Sequence, residues 1–311
     1  MANYITVDGG TTNTRVSLVC GGRVLSTEKI GIGAGSGNAD GLKCAIKSAI
    51  TELLLKSNLC DSDIECILAS GMITSEHGLC HIEHITLPVN AAKLNKSVYK
   101  TVIDEISQIP FVFIRGIKKD GTDFTGTDMM RGEETELFGM LKAPADGCLY
   151  ILPGSHSKHI SVDGDGNIVD FCTMLTGELF AAVMQHTILR YAASFEHSKI
   201  EKAYLLNGFN YAKKQGINEA LFKTRILSTM FGGTQSQCYS FLLGCVLCDE
   251  VEAIIRSSEK NVVLGGQKQF RAALDILLKE CSDKNVVTLT DSEVEASTPL
   301  GAIKIYELSR I

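Results

Sequence analysis

The N-terminal residues of this chain form a pattern of two apolar strands joined by a polar loop. Residues 4–8 and 14–19 have the composition of strands. The loop between them consists of two glycines, two threonines and an asparagine: Gly9, Gly10, Thr11, Thr12 and Asn13. Glycines let the backbone turn sharply and bring its N–H groups close to anionic oxygens, while the hydroxyl and amide side chains add donors. The pattern therefore predicts a loop that binds a nucleotide phosphate.

Asp8 ends the first strand, directly before this loop. Because Mg²⁺ keeps much of its water shell and takes few carboxylate ligands, we predict that Asp8 holds a magnesium ion through water. A plain two-residue hairpin is the alternative for this segment. Such a hairpin needs only Asp8-Gly9 or Gly9-Gly10 and does not account for the hydroxyl and amide residues that follow.

Length and composition describe an ordinary globular protein with two domains. The 311 residues exceed the size at which a single core usually stops growing. A hydrophobic content of 45% and a charged content of 21% provide ample apolar area for two cores. The formal net charge is -6 and the chain has no run of Lys and Arg, which argues against nucleic acid as the main partner.

The chain carries no sign of a membrane segment. No apolar stretch approaches the length of a membrane span, and Asp8 interrupts the N-terminus before a signal-peptide core could form. We therefore expect a cytoplasmic protein. Its 11 cysteines have apolar neighbours, which predicts reduced, buried thiols. Cys245 and Cys248 have a metal-like spacing but no matching second pair, which argues against a zinc or iron–sulfur site.

The first half of the chain predicts a β-β-β-α-β unit. Residues 3–30 indicate three consecutive antiparallel strands. The glycine-rich residues 31–41 lack the geometry of a nucleotide loop and are interpreted as a flexible crossover. Apolar residues at helical spacing predict a helix over 42–56, and residues 65–70 form a buried strand.

A second unit of the same kind begins at Cys148. Residues 149–152 enter a turn at 153–158, residues 160–162 leave it, residues 168–171 form a third strand, and a helix is predicted from 177 to 191. Residues 163–167 superficially resemble a calcium loop, but they lack its final glutamate and indicate a hairpin turn. The second turn repeats the polar character of the first loop with five residues: Gly154, Ser155, His156, Ser157 and Lys158.

Two further segments complete the pattern. After a helix-rich stretch at 211–258, a strand ends in Gly265, Gly266 and Gln267 and opens a helix, an arrangement that lets a base or ribose approach the backbone. Residues 297–308 have a capping start with a proline in the first turn, which predicts a C-terminal helix.

These features resemble a known superfamily. Two phosphate-type hairpins in duplicated halves and a late Gly-Gly strand-to-helix turn are similar to the actin, sugar kinase and Hsp70 ATPase superfamily. Residues 130–139, 152–158 and 170–180 narrow the resemblance to the 2-dehydro-3-deoxygalactonokinase family, and residues 70–73 and 241–244 extend it over almost the whole chain. The chain differs from that family in reading Asp8-Gly9-Gly10 where members often carry Asp-Trp-Gly.

The resemblance implies a fold, an activity and cofactors. The fold is α/β, a two-domain actin-like ATPase (ribonuclease H-like) fold with duplicated βββαβα units and the nucleotide between the halves. The domains are 1–130 and 131–311, with the last helix, about 298–310, returning to the first domain. The activity is transfer of the γ-phosphoryl group of ATP to the terminal 6-hydroxyl of 2-dehydro-3-deoxy-D-galactonate. ATP and Mg²⁺ are the implied cofactors.

In the superfamily that the chain resembles, the connecting helix starts with a carboxylate facing the cleft, and the resemblance implies that the helix after Arg131-Gly132 does the same here. A kinase needs a carboxylate to orient the attacking hydroxyl and accept its proton. Glu133 is assigned as this base, with Glu134 as the nearby alternative. Helix capping alone also favours acidic residues in a first turn. Arg131 suits a crowded polar site, because guanidinium groups match phosphoryl and carboxylate groups.

The remaining site assignments are made residue by residue. Arg15 is a second candidate for the substrate carboxylate or the transferring phosphoryl, and the alternative for Arg15 and for Arg131 is a pair with a structural acid. Asp170 ranks second to Asp8 as a metal ligand, and its alternative role is to lock the second hairpin. Lys158, with Ser155 and Ser157, is expected to meet the outer phosphates, and a solvated hairpin tip is its alternative role. His156 either donates to a phosphate or satisfies the turn. The resemblance places Ser70, Gly71 and Met72 on the sugar-acid side.

Several alternatives stay open. A related kinase acting on 2-keto-3-deoxygluconate and an exopolyphosphatase-like phosphohydrolase, with water as the nucleophile, are the enzyme alternatives. A sugar-responsive DNA-binding regulator needs a segment ahead of the first loop, and the strand here begins by residue 4. A fourth alternative is an ATP-driven activator of a cysteine-ligated enzyme. The partners expected are a sugar acid and ATP, and a homodimer stays open.

Overall fold

The computed structural model describes residues 2–141 and 147–308, which form two compact units. Unit 1 contains residues 2–141, 163–170 and 290–308, and unit 2 contains residues 147–162 and 171–289. The domain boundary predicted after residue 130 stays a prediction.

Unit 1 is built on a mixed sheet with the strand order β3-β2-β1-β4-β7-β6. β1 runs antiparallel to β2 and parallel to β4. A smaller sheet has the order β5-β8-β9. The elements are β1 (Asn3–Gly9), β2 (Thr14–Cys20), β3 (Arg23–Ile30), α1 (Ala39–Lys56), β4 (Ile64–Gly71), β5 (Ile85–Thr86), α2 (Ala91–Lys96), β6 (Tyr99–Ile103), β7 (Ser107–Phe113), β8 (Ile117–Lys119), β9 (Asp128–Met130) and α3 (Glu133–Met140).

The predicted β-β-β-α-β unit is confirmed in unit 1. The Asn38 side chain accepts a hydrogen bond from the Gly41 N–H at 2.9 Å and thereby caps α1. Leu42, Ile46 and Leu53 lie on the buried face of α1 and pack in the core of the large sheet. Burying such side chains contributes roughly 1.5–3 kcal/mol each relative to exposure.

The glycine-rich connector differs from its prediction as a flexible crossover. The Ala34 N–H donates to the Gly10 carbonyl at 3.0 Å, and the Gly35 N–H donates to the Thr11 carbonyl at 2.9 Å. A short 3₁₀ turn, Ala34–Ser36, follows this contact. The connector therefore packs on the first loop, because its glycines bring two backbones together.

Unit 2 repeats the strand order of unit 1, with the sheet β12-β11-β10-β13-β14. β10 runs antiparallel to β11 and parallel to β13, as β1 does to β2 and β4. The predicted duplication is therefore confirmed. The elements are β10 (Cys148–Leu152), β11 (Ser157–Val162), β12 (Ile168–Met174), α4 (Thr176–His186), α5 (Lys202–Gln215), α6 (Ile217–Phe231), α7 (Gln235–Val246), α8 (Cys248–Arg256), β13 (Asn261–Leu264), α9 (Lys268–Cys281) and β14 (Asn285–Thr288).

Two boundaries in unit 2 differ from the sequence prediction. β11 begins at Ser157, so Ser157 and Lys158 lie on a strand rather than in the turn. α4 ends at His186 instead of residue 191, because Thr187 is extended and its hydroxyl accepts the Leu189 N–H at 3.1 Å. The prediction of a turn at 163–167 is confirmed by the bond from the Asp163 N–H to the Asn167 carbonyl at 3.0 Å.

The last helix, α10 (Asp291–Glu307), begins seven residues before its predicted start at 298. Its N-terminus is a capping box in which Thr290 and Glu293 each accept the backbone N–H of the other. Pro299 therefore lies inside the helix rather than in its first turn. α10 packs on α3, where Gly139 and Gly301 allow the two backbones to approach closely. This packing fixes α3, which carries the proposed catalytic glutamates.

The cysteines are all free thiols. Cys66, Cys148, Cys238, Cys245 and Cys248 are buried, as the apolar neighbours predicted, whereas Cys44, Cys60 and Cys172 are exposed. Burial raises the pKa of Cys66 to about 12, so this thiol stays protonated. Among the helices within 2–141 and 147–308, none has the length and apolar character to cross a bilayer.

Candidate active site

The first loop of unit 1 presents polar side chains to solvent. The Gly10 N–H donates to the Asn13 carbonyl at 2.8 Å, which closes the turn. Thr11, Thr12 and Asn13 are exposed, and the Asn13 amide donates to the Thr12 hydroxyl at 3.0 Å. The loop therefore offers hydroxyl and amide donors that an anion can reach.

The ends of β1, β2 and β4 bring together five of the predicted site residues. Asp8 is the register partner of Arg15 on β2 and of Ser70 on β4, and Gly9 is the partner of Gly71. An Arg15 guanidinium nitrogen lies 3.5 Å from a carboxylate oxygen of Asp8. Gly71 has a φ of +81°, and a Cβ there would lie 2.5 Å from the Gly9 carbonyl oxygen and 3.3 Å from Oδ1 of Asp8. This position accordingly requires glycine.

The first turn of α3 lies at the same place. Gly132 precedes the helix with a φ of +114°, and a Cβ there would lie 3.1 Å from the Gly71 Cα. Glu133 accepts the Arg131 N–H at 2.9 Å. Glu134 is fully buried and accepts the Gly132 N–H with its two oxygens at 2.9 and 2.8 Å. Both glutamates therefore start a helix that abuts the end of β4.

The pKa values of Asp8 and Glu134 reflect both burial and the charges beside them. Burial raises the pKa of Asp8 above its ordinary value. The positive charge of Arg15 opposes this shift, and the negative charge of Glu133 adds to it. Burial and then the charge of Glu133 raise the pKa of Glu134 to about 8. The charge of Glu133 thus acts on Asp8 and, separately, on Glu134, and a cation beside Asp8 would favour its ionised form.

Arg131 faces another part of unit 1. Its Nη1 donates to the Thr74 carbonyl at 2.7 Å, to the Thr74 hydroxyl at 2.6 Å and to the Ile82 carbonyl at 3.2 Å. Its Nη2 lies 3.2 Å from Nδ1 of His84. Burial and the charge of Arg131 lower the pKa of His84 to about 4. Arg131 therefore holds the segment after β4, which begins at Met72, through these bonds.

Asp170 is held differently from Asp8. It lies on β12 with an exposed side chain, and its carboxylate pairs with Lys119 of β8 at 2.5 Å. Its role as a metal ligand stays a prediction, since its carboxylate is engaged by an ammonium group.

In unit 2, the second loop packs on the start of α4. A Cβ on Gly177 would overlap the Gly154 carbonyl oxygen. The Glu178 N–H donates to the Ser155 carbonyl at 3.2 Å, and the His156 ring lies 3.2 Å from the Glu178 carboxylate. Ser155 and His156 are exposed at the tip of this loop.

The late Gly-Gly turn lies beside the same loop. The Gly265 N–H donates to the Ile151 carbonyl at 2.9 Å, and the Gln267 N–H donates to the Pro153 carbonyl at 2.7 Å. Arg271 holds the turn from α9 by donating to the Gly266 carbonyl at 2.6 Å. The structure therefore brings the predicted phosphate turn and the predicted adenosine turn together.

Lys158 and Ser157 lie beneath the tip of the second loop. Lys158 is only 5% exposed and donates to the Thr173 hydroxyl at 2.6 Å, so its alternative role as a solvated hairpin tip is wrong. The Ser157 hydroxyl donates to a carboxylate oxygen of Glu250 at 2.5 Å. The sequence analysis did not predict Glu250 as a site residue. The signal that could have identified it is a carboxylate on the otherwise apolar stripe of α8, with Val251 and Ile254.

Comparison with solved structures shows the fold. A crystal structure of a candidate 2-dehydro-3-deoxygalactonokinase protein from Sinorhizobium meliloti superposes with a TM-score of 0.80 at 21% identity, covering 98% of this chain and 99% of that chain. The activator of the 2-hydroxyisocaproyl-CoA dehydratase from Clostridium difficile, with bound ADPNP, has a TM-score of 0.56 at 12% identity and covers 99% and 95%. The predicted actin-like ATPase fold class is confirmed.

Comparison of sequences shows the family. The family model described as 2-keto-3-deoxy-galactonokinase matches residues 8–297. The chain is 25% identical to the 2-dehydro-3-deoxygalactonokinase of Escherichia coli (strain K12) over 258 residues, which cover 81% of this chain and 80% of the relative. The terms 2-keto and 2-dehydro denote the same group. The match spans both hairpins, the α3 glutamates and the Gly-Gly turn, and the chain therefore belongs to the 2-keto-3-deoxygalactonokinase family.

Proposed function

We propose that this protein transfers the γ-phosphoryl group of MgATP to the terminal 6-hydroxyl of 2-dehydro-3-deoxy-D-galactonate. The products are ADP and the 6-phosphorylated sugar acid, and the hydroxyl proton leaves to a base. The observation that carries the proposal is the convergence of Asp8, Gly71 and Glu133 in unit 1 of a chain with this family's sequence.

Glu133 is the proposed general base. A base must be ionised before it can accept the hydroxyl proton. Glu134 has a pKa of about 8, and both of its oxygens accept the Gly132 N–H. Glu134 is therefore better suited to hold the turn before α3, and Glu133 is left to take the proton.

The two polar loops are proposed to bind the phosphates of ATP. Phosphoryl transfer depends mainly on positioning and on electrostatic stabilisation of the transferred group. Loop residues 9–13 of unit 1 supply backbone N–H groups and side-chain donors. Residues 154–156 and Lys158 supply the same chemistry from unit 2, and the turn at 265–267 is proposed to flank the adenosine.

Asp8 is proposed to hold Mg²⁺ through water, with Asp170 as the second candidate. The crowding of Asp8 with Glu133 suits a cation. Within the described residues, no three His, Cys, Asp or Glu side chains group together as a direct metal cage. This donor set fits Mg²⁺, which keeps several waters. When bound, Mg²⁺ neutralises charge on the phosphate oxygens.

The sugar acid is proposed to bind beside Asp8 in unit 1. The Arg15 side chain is 62% exposed, so its guanidinium can reach a substrate carboxylate while it also pairs with Asp8. Ser70, Gly71 and Met72 line the end of β4 next to it. Arg131 contributes by holding the segment that starts there, since its nitrogens bond Thr74 and Ile82.

The proposal is tested by a coupled ADP assay on the full chain with MgATP. The panel contains 2-dehydro-3-deoxy-D-galactonate, the corresponding gluconate derivative and no sugar acid. We expect ADP to form fastest with the galactonate derivative. Faster reaction with the gluconate derivative would show that this compound is the preferred substrate. Phosphate release at the same rate with and without a sugar acid would show that the protein is a phosphohydrolase.

A further inference from the structure

Glu250 is a buried carboxylate on α8 that belongs to none of the predicted sites. It is 1% exposed. An isolated carboxylate at such a depth is strongly destabilising unless it is paired and hydrogen-bonded. Its partners therefore indicate why the chain keeps a glutamate on the apolar face of this helix.

The two oxygens of Glu250 bind different elements of unit 2. Oε1 accepts the Ser157 hydroxyl at 2.5 Å and lies 3.2 Å from Nε2 of His159, and both residues lie on β11. Oε2 accepts the Thr176 hydroxyl at 2.7 Å, and Thr176 is the first residue of α4. One carboxylate thus joins the start of β11 to the start of α4.

The carboxylate stays ionised in this setting. Burial raises the pKa of Glu250, but the nearby His159 imidazole and the hydrogen bonds from the Ser157 and Thr176 hydroxyls outweigh burial and hold the pKa below its usual range. Hydrogen bonds to a charged group are shorter and stronger than neutral ones. Ser157 and Thr176 are consequently held more firmly than neutral partners would hold them.

The elements that Glu250 joins are the two sides of the second phosphate loop. Ser157 follows the exposed tip formed by Ser155 and His156. Thr176 precedes Gly177, which packs against Gly154 from the other side. The tip therefore sits between two anchors that share one carboxylate.

We propose that Glu250 is a positioning residue for the ATP phosphates: it fixes Ser157 and Thr176 so that the tip at 154–156 keeps the geometry that binds them. The inference rests on the proposed function, because it takes the loop to be a phosphate site. It assigns a role to a residue that belongs to none of the predicted sites. Replacing buried ion pairs with apolar residues is often neutral or stabilising, so stability alone does not require this charge.

The test compares nucleotides that share adenosine but differ in phosphates. Glu250→Gln keeps the size of the side chain and removes its charge. Misplacing a catalytic group by about 1 Å can cost roughly 100-fold in rate. Assuming a similar sensitivity to geometry in binding, we expect ATP and ADP affinity to fall roughly 10- to 100-fold while AMP affinity is unchanged. Titration calorimetry on the full chain measures all three constants.

Glu252→Gln is the matched control. It lies on the same helix, carries the same charge and pairs with Lys213 at 2.8 Å instead of the loop. It should leave the affinities for ATP, ADP and AMP at their wild-type values. An equal loss of ATP and AMP affinity in Glu250→Gln, or no loss at all, overturns the inference.

A second variant covers the case in which Glu250→Gln fails to fold. Thr176→Val keeps the shape and removes one anchor, and it should reproduce the loss for ATP and ADP with AMP spared. Retention of wild-type ATP affinity by folded Thr176→Val contradicts the inference. Wild-type protein that binds ATP no more tightly than AMP also overturns it. If the wild-type protein binds ATP more tightly than AMP but phosphorylates no sugar acid, the proposed function is refuted and the role of Glu250 in phosphate binding is not.

Discussion

Gly132 lies against Gly71: a Cβ on Gly132 would come within 3.1 Å of the Gly71 Cα. This approach brings the first turn of α3 to the end of β4. A Cβ on Gly71 would in turn lie 3.3 Å from Oδ1 of Asp8. Two glycines therefore set the separation between the proposed base, Glu133, and the proposed metal ligand, Asp8.

Replacing Gly132 with alanine should lower both stability and turnover. Its φ of +114° is unfavourable for alanine. Such strain costs about 1–3 kcal/mol. The added methyl would also push α3 away from Gly71. Denaturant unfolding and the kcat of the coupled assay measure the two effects.

Gly22→Ala is the control for backbone strain. Gly22 has a φ of +74°, and a Cβ there would meet no atom within 4 Å. This variant should lose stability and keep its kcat. A Gly132→Ala protein with wild-type kcat would show that the close approach to Gly71 is unimportant for the reaction.

Glu133→Gln should reduce kcat by roughly 10²- to 10⁴-fold, which is the loss expected when a general base is removed. Nucleotide affinity should persist, because no phosphate donor is changed. Glu52→Gln, at a solvent-exposed position on α1 paired with Lys56, serves as the control. Near-normal turnover in Glu133→Gln would transfer the role to Glu134 or Asp170.

Asp8→Asn should raise the magnesium concentration needed for half-maximal activity. The amide keeps the shape of the side chain and removes the charge that attracts the hydrated ion. Activity measured against free Mg²⁺ at saturating ATP gives this value. Identical magnesium titrations for the two proteins would refute the metal assignment.

Glu134 should make stability depend on pH. Its folded pKa of about 8 lies above the ordinary value of 4.5, so the folded state binds this proton more tightly. Its contribution to stability is full below about pH 4.5 and is lost as the pH rises towards 8. Glu134→Gln should flatten this decline in urea unfolding between pH 5 and pH 8. The same decline in both proteins would mean that Glu134 is ionised throughout.

Local patterns predicted much of the fold. The strands flanking residues 9–13 and the helix face of Leu42 and Ile46 follow from periodicity. The start of α10 was predicted wrongly, because Pro299 was interpreted as a proline in the first turn of the helix. The actual cap, Thr290 with Glu293, lies further upstream.

The site was less accessible to sequence reasoning, because its contacts are long-range. That Arg131 meets phosphoryl or carboxylate groups stays a prediction, and its bonds to Thr74 on another segment could not be foreseen from the sequence. Glu250 reaches Ser157 across 93 residues. Such pairs cannot be predicted from residue type and spacing. In contrast, Gly9 and Gly10 are enough by themselves to predict a tight loop.

The most direct test of the central claim is ³¹P NMR of the products formed from MgATP and 2-dehydro-3-deoxy-D-galactonate. The account predicts one phosphate monoester on the 6-oxygen for each ADP, with Glu133→Gln producing it far more slowly. Inorganic phosphate appearing in step with ADP, without any sugar phosphate, would contradict it.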